Sequence, residues 1–171
     1  MDYYRGNVVY SEGFLRILEK MGKSGGGDHF GSAALVTDRY DEPTIAHEFN
    51  HLRQAESMGC RFFYLGSYLY KNGGSPFPND EYYKNDLEMD SYYKGFLYEA
   101  GCIDIYGNRR TCQGKGKDEW THEELSDVFY NGGPYTGRDG ETYLWAGYKK
   151  EHPEVDYGEH WTWRENWWSL Y

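Results

Sequence analysis

The sequence has no basic cluster. Its 171 residues include 18 lysine and arginine against 28 aspartate and glutamate, for a net charge of −10 at pH 7. No run of basic residues is longer than two, as at Arg109-Arg110. Nucleic-acid-binding proteins normally carry a basic stripe that contacts the phosphates. We therefore expect no nucleic-acid partner, and the acid excess hints at neutral or basic substrates.

Long apolar runs are also missing, and the mean hydropathy is −0.92. No stretch approaches the roughly 20 apolar residues that a membrane-spanning helix needs, so we expect no membrane partner. The N-terminus has no basic segment followed by an apolar one, which predicts no signal peptide. The protein is expected to be cytoplasmic, or to be part of a larger exported protein.

Leucine, isoleucine and valine are sparse, whereas aromatic residues make up 19% of the chain, with 19 Tyr and 6 Trp. This composition predicts a core built heavily from rings. The 22 glycines indicate long polar connections between short elements. A chain of this length suits a single domain, residues 1–171.

Cysteine is scarce, and Cys60, Cys102 and Cys112 leave at least one thiol unpaired. Cys102 and Cys112 flank a predicted hairpin around Gly107-Asn108 and can pair under oxidising conditions. Separate reduced thiols fit the sequence equally well, so the compartment stays open.

The pattern along the chain predicts a helix-dominated α+β fold with a small sheet and an aromatic-rich, irregular C-terminal part. Helices are predicted at 11–21, from the Asp41 cap to about Ser57, at 60–70, at 85–100 and at 121–130 behind Thr121. The other predicted elements are a strand at 33–36, a loop at 72–80, a hairpin at 102–112, a turn at 131–134 and a strand at 161–163.

The most informative segment is His47-Glu48-Phe49-Asn50-His51. Two His four residues apart lie on one face of a helix and suit two corners of a zinc tetrahedron. Glu48 lies beside them, where it can hold a zinc-bound water, deprotonate it and pass the proton to a leaving amine.

The helical phase of this segment supports the interpretation. Ile45, Phe49 and Leu52 lie opposite His47 and His51, so one face fits a core and the other a cleft. The alternative is an exposed helix face that carries two solvated His.

A catalytic zinc needs a third protein ligand, and the candidates are Glu88 and Asp90. Glu88 lies at the margin of the apolar stripe of the predicted helix at 85–100, whereas Asp90 should point nearly opposite, toward solvent. This geometry favours Glu88, with Asp90 as the alternative ligand or as a residue behind the ligands. The alternative for both acids is plain charge on the helix surface, which would be the preferred interpretation without the upstream HExxH motif.

Three motifs in residues 31–100 resemble the gluzincin-like HExxH zinc metallopeptidase domains of bacterial exported and polymorphic-toxin (Rhs-type) proteins. They are His47-Glu48-x-x-His51-x-x-Gln54 with Gly59, then Phe63-Tyr64-Leu65-x-x-Tyr68-Leu69, then Asn85-x-x-Glu88-x-Asp90-Ser91. The resemblance implies a zincin-like fold, zinc bound by His47, His51 and Glu88, and catalysis by Glu48. Where that family reads NPxExEAD, this chain has Asp86, Asp90, Ser91 and Tyr92. Residues 101–171 form a C-terminal elaboration outside the resemblance.

Other residues have open roles. Gln54 lies on the ligand side and either supports a ligand or packs between helices. Tyr92 is a candidate to stabilise the oxyanion of a tetrahedral intermediate, with His122 and His160 as further options. His29 is interpreted as a loop residue and His152 as plain surface. The strand at 33–36 either pairs with an extended peptide substrate or is an ordinary strand.

These observations predict zinc-dependent hydrolysis of a peptide or protein substrate, in an effector or processing domain of a larger exported protein. The alternative is a non-catalytic aromatic-rich module that binds carbohydrate or protein and has a structural or degenerate metal site. A third interpretation is another zinc hydrolase, such as an amidase that acts on peptidoglycan.

Overall fold

A computed structural model of the chain describes residues 3–4, 8–10, 27–30, 33–36, 41–59, 61–74, 81–112, 120–153 and 155. These residues form a helix-dominated α+β fold, as predicted. The described helices are α1 (Glu42–Ser57), α2 (Arg61–Lys71), α3 (Asp86–Glu99), α4 (His122–Asn131) and α5 (Tyr148–Glu151).

Local signals in the sequence set the ends of α1, which confirms its predicted bounds. The Asp41 Oδ1 atom accepts a hydrogen bond from the Thr44 amide at 3.2 Å, and Pro43 lies in the first turn, where no helical N–H partner is needed. The helix ends at Ser57, and Gly59 follows with φ of +68°, a conformation that glycine adopts without strain.

Helices α2, α3 and α4 likewise match the predictions for 60–70, 85–100 and 121–130. The Asn85 side chain caps α3 by accepting from the Leu87 amide at 3.0 Å. Thr121 and Glu124 form a reciprocal capping box at the start of α4.

One sheet lies against α1 and consists of β1 (Tyr3–Tyr4), β2 (Val8–Tyr10), β3 (Gly27–Phe30) and β4 (Ala33–Val36), in the order β1-β2-β4-β3. The strand predicted at 33–36 is confirmed as β4. It pairs with β2 in parallel and with β3 in antiparallel register, so β4 offers no free edge to a substrate. Of the two interpretations of this strand, pairing with an extended peptide substrate is therefore wrong, and an ordinary strand is correct. The sequence of a strand does not reveal which strands lie beside it. His29 lies in β3 and not in a loop.

A second sheet is the antiparallel hairpin of β5 (Gly133–Thr136) and β6 (Thr142–Trp145). The turn predicted at 131–134 is therefore wrong, since Gly133 and Pro134 begin β5. Glycine is needed at 132 for a different reason. A Cβ atom there would lie 2.7 Å from the Ala146 carbonyl oxygen, and φ is +82°.

Aromatic rings fill the core between α3, α4 and the hairpin, which confirms the prediction from composition. Phe96 and Phe129 have ring centroids 5.6 Å apart. Phe96 also contacts Tyr135 at 5.1 Å, and Phe129 stacks on Tyr148 at 5.2 Å.

Cys102 and Cys112 are joined by a disulfide, which settles the alternative left open by the sequence. The loop that they close carries an isolated antiparallel bridge between Ile103 and Arg109, a minimal form of the predicted hairpin. This loop contacts α1, because Arg53 Nη1 donates to the Tyr106 carbonyl oxygen at 2.9 Å.

Several predictions lie outside the described residues: the helix at 11–21, most of the loop at 72–80, and the tail with the strand at 161–163 and His160. Within the part of the chain that the structure describes, no helix is long and apolar enough to cross a bilayer.

Candidate metal centre

The site lies where α1 crosses α3. A Cβ atom on Gly95 of α3 would lie 3.2 Å from the Pro43 carbonyl oxygen and 3.9 Å from His47 Cβ. Glycine at this position therefore lets the two helices approach closely. The N-terminal half of α3 then lies opposite the two His of α1.

Three side-chain atoms converge at this crossing. The Nε2 atoms of His47 and His51 lie 3.2 Å apart, and Glu88 Oε2 lies 3.3 Å and 3.4 Å from them, respectively. His51 and Glu88 are each 1% exposed, and His47 is also buried. The alternative of two solvated His on an open helix face is therefore wrong.

The dimensions of this triangle fit a metal ion. Four ligands in a tetrahedron with bonds of 2.0–2.1 Å lie about 3.3 Å from one another. Glu88 Oε2 is buried yet makes no hydrogen bond to any described residue, as expected for an atom whose partner is an ion. Among the described residues, this group contains no fourth His, Cys, Asp or Glu. The group can thus bind a metal ion through two imidazoles and one carboxylate.

Electrostatics couple the three side chains. Burial raises the pKa of Glu88, but the two imidazoles outweigh burial and hold that pKa well below its usual range. Burial lowers the pKa of His51, and the Glu88 carboxylate beside it raises that pKa by more. The carboxylate is therefore ionised, which is the form that a cation requires.

Gln54 fixes the orientation of His51. Its Oε1 lies 2.9 Å from His51 Nδ1, and its Nε2 donates at 3.0 Å to both the Leu87 carbonyl oxygen and Asp90 Oδ2. A neighbour that accepts the Nδ1 proton leaves the Nε2 lone pair for a metal. Gln54 therefore has both of the roles left open by the sequence, since it supports a candidate ligand and joins α1 to α3.

Asp90 does not point to solvent as the helical phase predicted. Its Oδ2 also accepts from Asn50 Nδ2 at 2.7 Å, and it is not part of the three-residue group. The prediction was wrong because α3 is buried on more than one side. The helix contacts α1 as well as α4, and the apolar stripe marks only one of these faces.

Glu48 is buried on α1 between the two His in sequence, and it is likewise not part of the three-residue group. The ring of Tyr92 packs edge-on against His47 with centroids 4.6 Å apart. Burial, and then the charge of Glu88, raise the pKa of Tyr92 above its ordinary value. Burial, and then the charge of Glu88, raise the pKa of Tyr82 in the same way.

Two other His of the described residues are not part of the three-residue group. His122 Nδ1 is 3.0 Å from the Tyr93 hydroxyl, and His122 is not part of the described donor group. His152 is half-buried and stacks on Tyr83 with centroids 4.0 Å apart, so its interpretation as plain surface was wrong.

Sequence reasoning did not assign roles to Tyr64 and Tyr68 of α2. The Tyr64 hydroxyl lies 2.9 Å from His51 Nδ1, and the Tyr68 hydroxyl donates to Glu88 Oε1. Their spacing of four residues places both on one face of α2. That spacing, together with the HExxH motif, was the signal available for finding them.

No family model matches the chain, and no curated protein or solved structure matches it either. The resemblance to HExxH metallopeptidase domains thus depends on the motifs alone.

Proposed function

We propose that this protein is a zinc-dependent hydrolase of peptide bonds, in an effector or processing domain of a larger exported protein. The observation that supports it is the buried group of His47, His51 and Glu88, with Glu48 between the two His on the same helix. Two imidazoles and one carboxylate form a ligand set that zinc takes in metallopeptidases, with one position left for water or substrate.

Each residue of the site has a separate role in this proposed reaction. His47, His51 and Glu88 would hold the ion, and zinc bound there would act as a Lewis acid that acidifies water and polarises a carbonyl oxygen. Glu48 accepts the proton of the attacking water and delivers it to the departing amine. Tyr92, whose ring packs against His47, would donate a hydrogen bond from its hydroxyl to the oxyanion of the transition state.

A second candidate is a non-catalytic binding module with a structural metal. The near-complete burial of His51 and Glu88 favours it, since a catalytic ion must be reached by substrate. The exposed rings of Phe63 and Tyr70 on α2 offer contact area for a partner. The two candidates differ in the fourth metal ligand, which is water in an enzyme and a protein side chain in a structural site.

The test begins with elemental analysis after zinc loading and desalting. We expect about one zinc per chain, and little in His47→Ala. Glu48→Gln should keep the metal and the fold, yet cleave a library of unstructured peptides 10²- to 10⁴-fold more slowly, because glutamine cannot accept the proton. Glu56→Gln removes an exposed carboxylate from the same helix and is the matched control.

The outcomes separate the candidates. A wild-type protein that retains no zinc contradicts the metal site itself. Equal cleavage by wild type and Glu48→Gln excludes Glu48 as the base. Bound zinc without cleavage, and with a protein side chain as fourth ligand, favours the binding module.

A further inference from the structure

We infer that Tyr68 is a positioning residue that makes Glu88 a ligand through one oxygen only, and thereby sets the coordination number of the bound metal. This inference rests on the proposed metal binding by His47, His51 and Glu88. It does not require that the protein be a peptidase.

The two oxygens of the Glu88 carboxylate have different surroundings. Oε1 accepts the hydrogen bond of the Tyr68 hydroxyl. Oε2 makes no hydrogen bond to a described residue and faces the Nε2 atoms of both His at 3.3 Å and 3.4 Å. The Tyr68 hydroxyl therefore occupies Oε1, and Oε2 is the carboxylate oxygen left for the ion.

Packing holds the phenol in this position. The Tyr68 ring lies 6.0 Å from that of Tyr64 and 6.2 Å from that of His51, measured between centroids. Both tyrosines belong to α2, whereas Glu88 belongs to α3 and His51 to α1. Helix α2 thus contacts the candidate ligands of α1 and α3 through the hydroxyl groups of its two tyrosines.

The chemical consequence concerns how a carboxylate binds metals. Carboxylates coordinate through one oxygen or through both, and the two-oxygen mode is common where coordination numbers exceed four. A phenol that donates to Oε1 occupies a lone pair of that oxygen and opposes the two-oxygen mode. Without the hydroxyl, Oε1 is free to turn toward the ion, which raises the coordination number and weakens the preference for zinc.

The test uses the full chain loaded with Zn²⁺ or Co²⁺ and compares wild type with Tyr68→Phe. Zinc affinity is measured by competition with a chelator, and the metal geometry by the visible absorption of bound Co²⁺, which is strong for four ligands and weak for six. We expect Tyr68→Phe to weaken zinc binding 10- to 100-fold, the usual effect of removing a group that orients a ligand. The Co²⁺ bands should lose intensity at the same time.

Two controls isolate the hydroxyl. Tyr70→Phe removes a hydroxyl from the same helix at a position that is 85% exposed, and it should change neither readout. In a Glu88→Ala background, Tyr68→Phe should have no further effect on metal affinity, because its partner is gone. Should Tyr68→Phe not fold without metal, both proteins are compared after refolding with Zn²⁺ or Co²⁺, since a bound ion stabilises the folded state, and the same changes are expected.

The results that would overturn the inference are distinct from those that concern the proposed function. Unchanged affinity and spectrum in Tyr68→Phe, with metal bound to the wild type, overturns the inference alone. Weaker binding with an unchanged Co²⁺ spectrum also overturns it, because loss of packing would then be the cause. A wild type that binds neither ion overturns the inference together with the metal site.

Discussion

Helix α3 lies between two buried regions, one held by polar contacts and the other by contacts between aromatic rings. Toward α1 it presents Glu88, Asp90 and Ser91, which join a network of hydrogen bonds and close charges. Toward α4 and the hairpin it presents rings such as Phe96, which pack on other rings. One helix therefore serves both a polar interior and an apolar one.

The difference shows how the molecule divides stability from positioning. The burial of apolar ring surface is non-directional and contributes free energy roughly in proportion to the buried area. Burial of polar groups costs free energy unless each has a partner, but a satisfied network fixes its members in one arrangement. We therefore expect changes in the apolar region to alter stability, and changes in the polar region to alter metal affinity.

The largest expected effect is in the apolar region. Phe129 is fully buried and contacts Phe96 and Tyr148, so Phe129→Ala should lower the free energy of unfolding by about 3–5 kcal/mol. Urea titration of the metal-free protein measures this, and the folded fraction should still bind zinc with unchanged affinity. Leu144→Ala, at an exposed position of β6, is the control and should have an effect within about 0.5 kcal/mol. A loss of zinc affinity in folded Phe129→Ala would show that the two regions are coupled.

The disulfide tests the connection between the regions. The loop closed by Cys102 and Cys112 contacts Arg53 of α1 and also packs on the ring core. Cys112→Ser should lower the free energy of unfolding by roughly 2–3 kcal/mol, the loop-closure contribution for a ring of this size. Reductant should destabilise the wild type by the same amount and leave the variant unaffected. Equal stability of oxidised and reduced wild type would contradict this.

The smallest effect is expected in the polar network. Asp90→Ala removes the acceptor that holds Gln54 and Asn50, and it should weaken zinc binding 10- to 100-fold with little change in the stability of the metal-free protein. Isothermal titration with a competing chelator gives the affinity. Asp86→Ala breaks a partly exposed ion pair with Lys71 and serves as control, with unchanged affinity expected. Complete loss of zinc in Asp90→Ala would instead identify Asp90 as a ligand.

Elements whose ends are set by local chemistry were predictable. Asp41 marks the start of α1 and Gly59 follows its end, and the Thr121 capping box marks the start of α4. These ends were predictable because each signal acts within a few residues. The hairpin of β5 and β6 was not predicted. Gly132-Gly133-Pro134 has the composition of a turn, yet Gly132 serves the close approach of Ala146, a contact between residues distant in sequence.

In the candidate site, too, some features were predictable from the local sequence and others depend on contacts between distant residues. The sequence by itself determined that His47 and His51 lie on one face of a helix, since their spacing matches the helical period. It also determined that rings would fill the core, since few aliphatic residues are available. Only the tertiary structure decided that Asp90 faces α1 and that Tyr68 donates to Glu88. Periodicity gives the direction of a side chain around its own helix axis, whereas partners on other helices depend on where those helices cross.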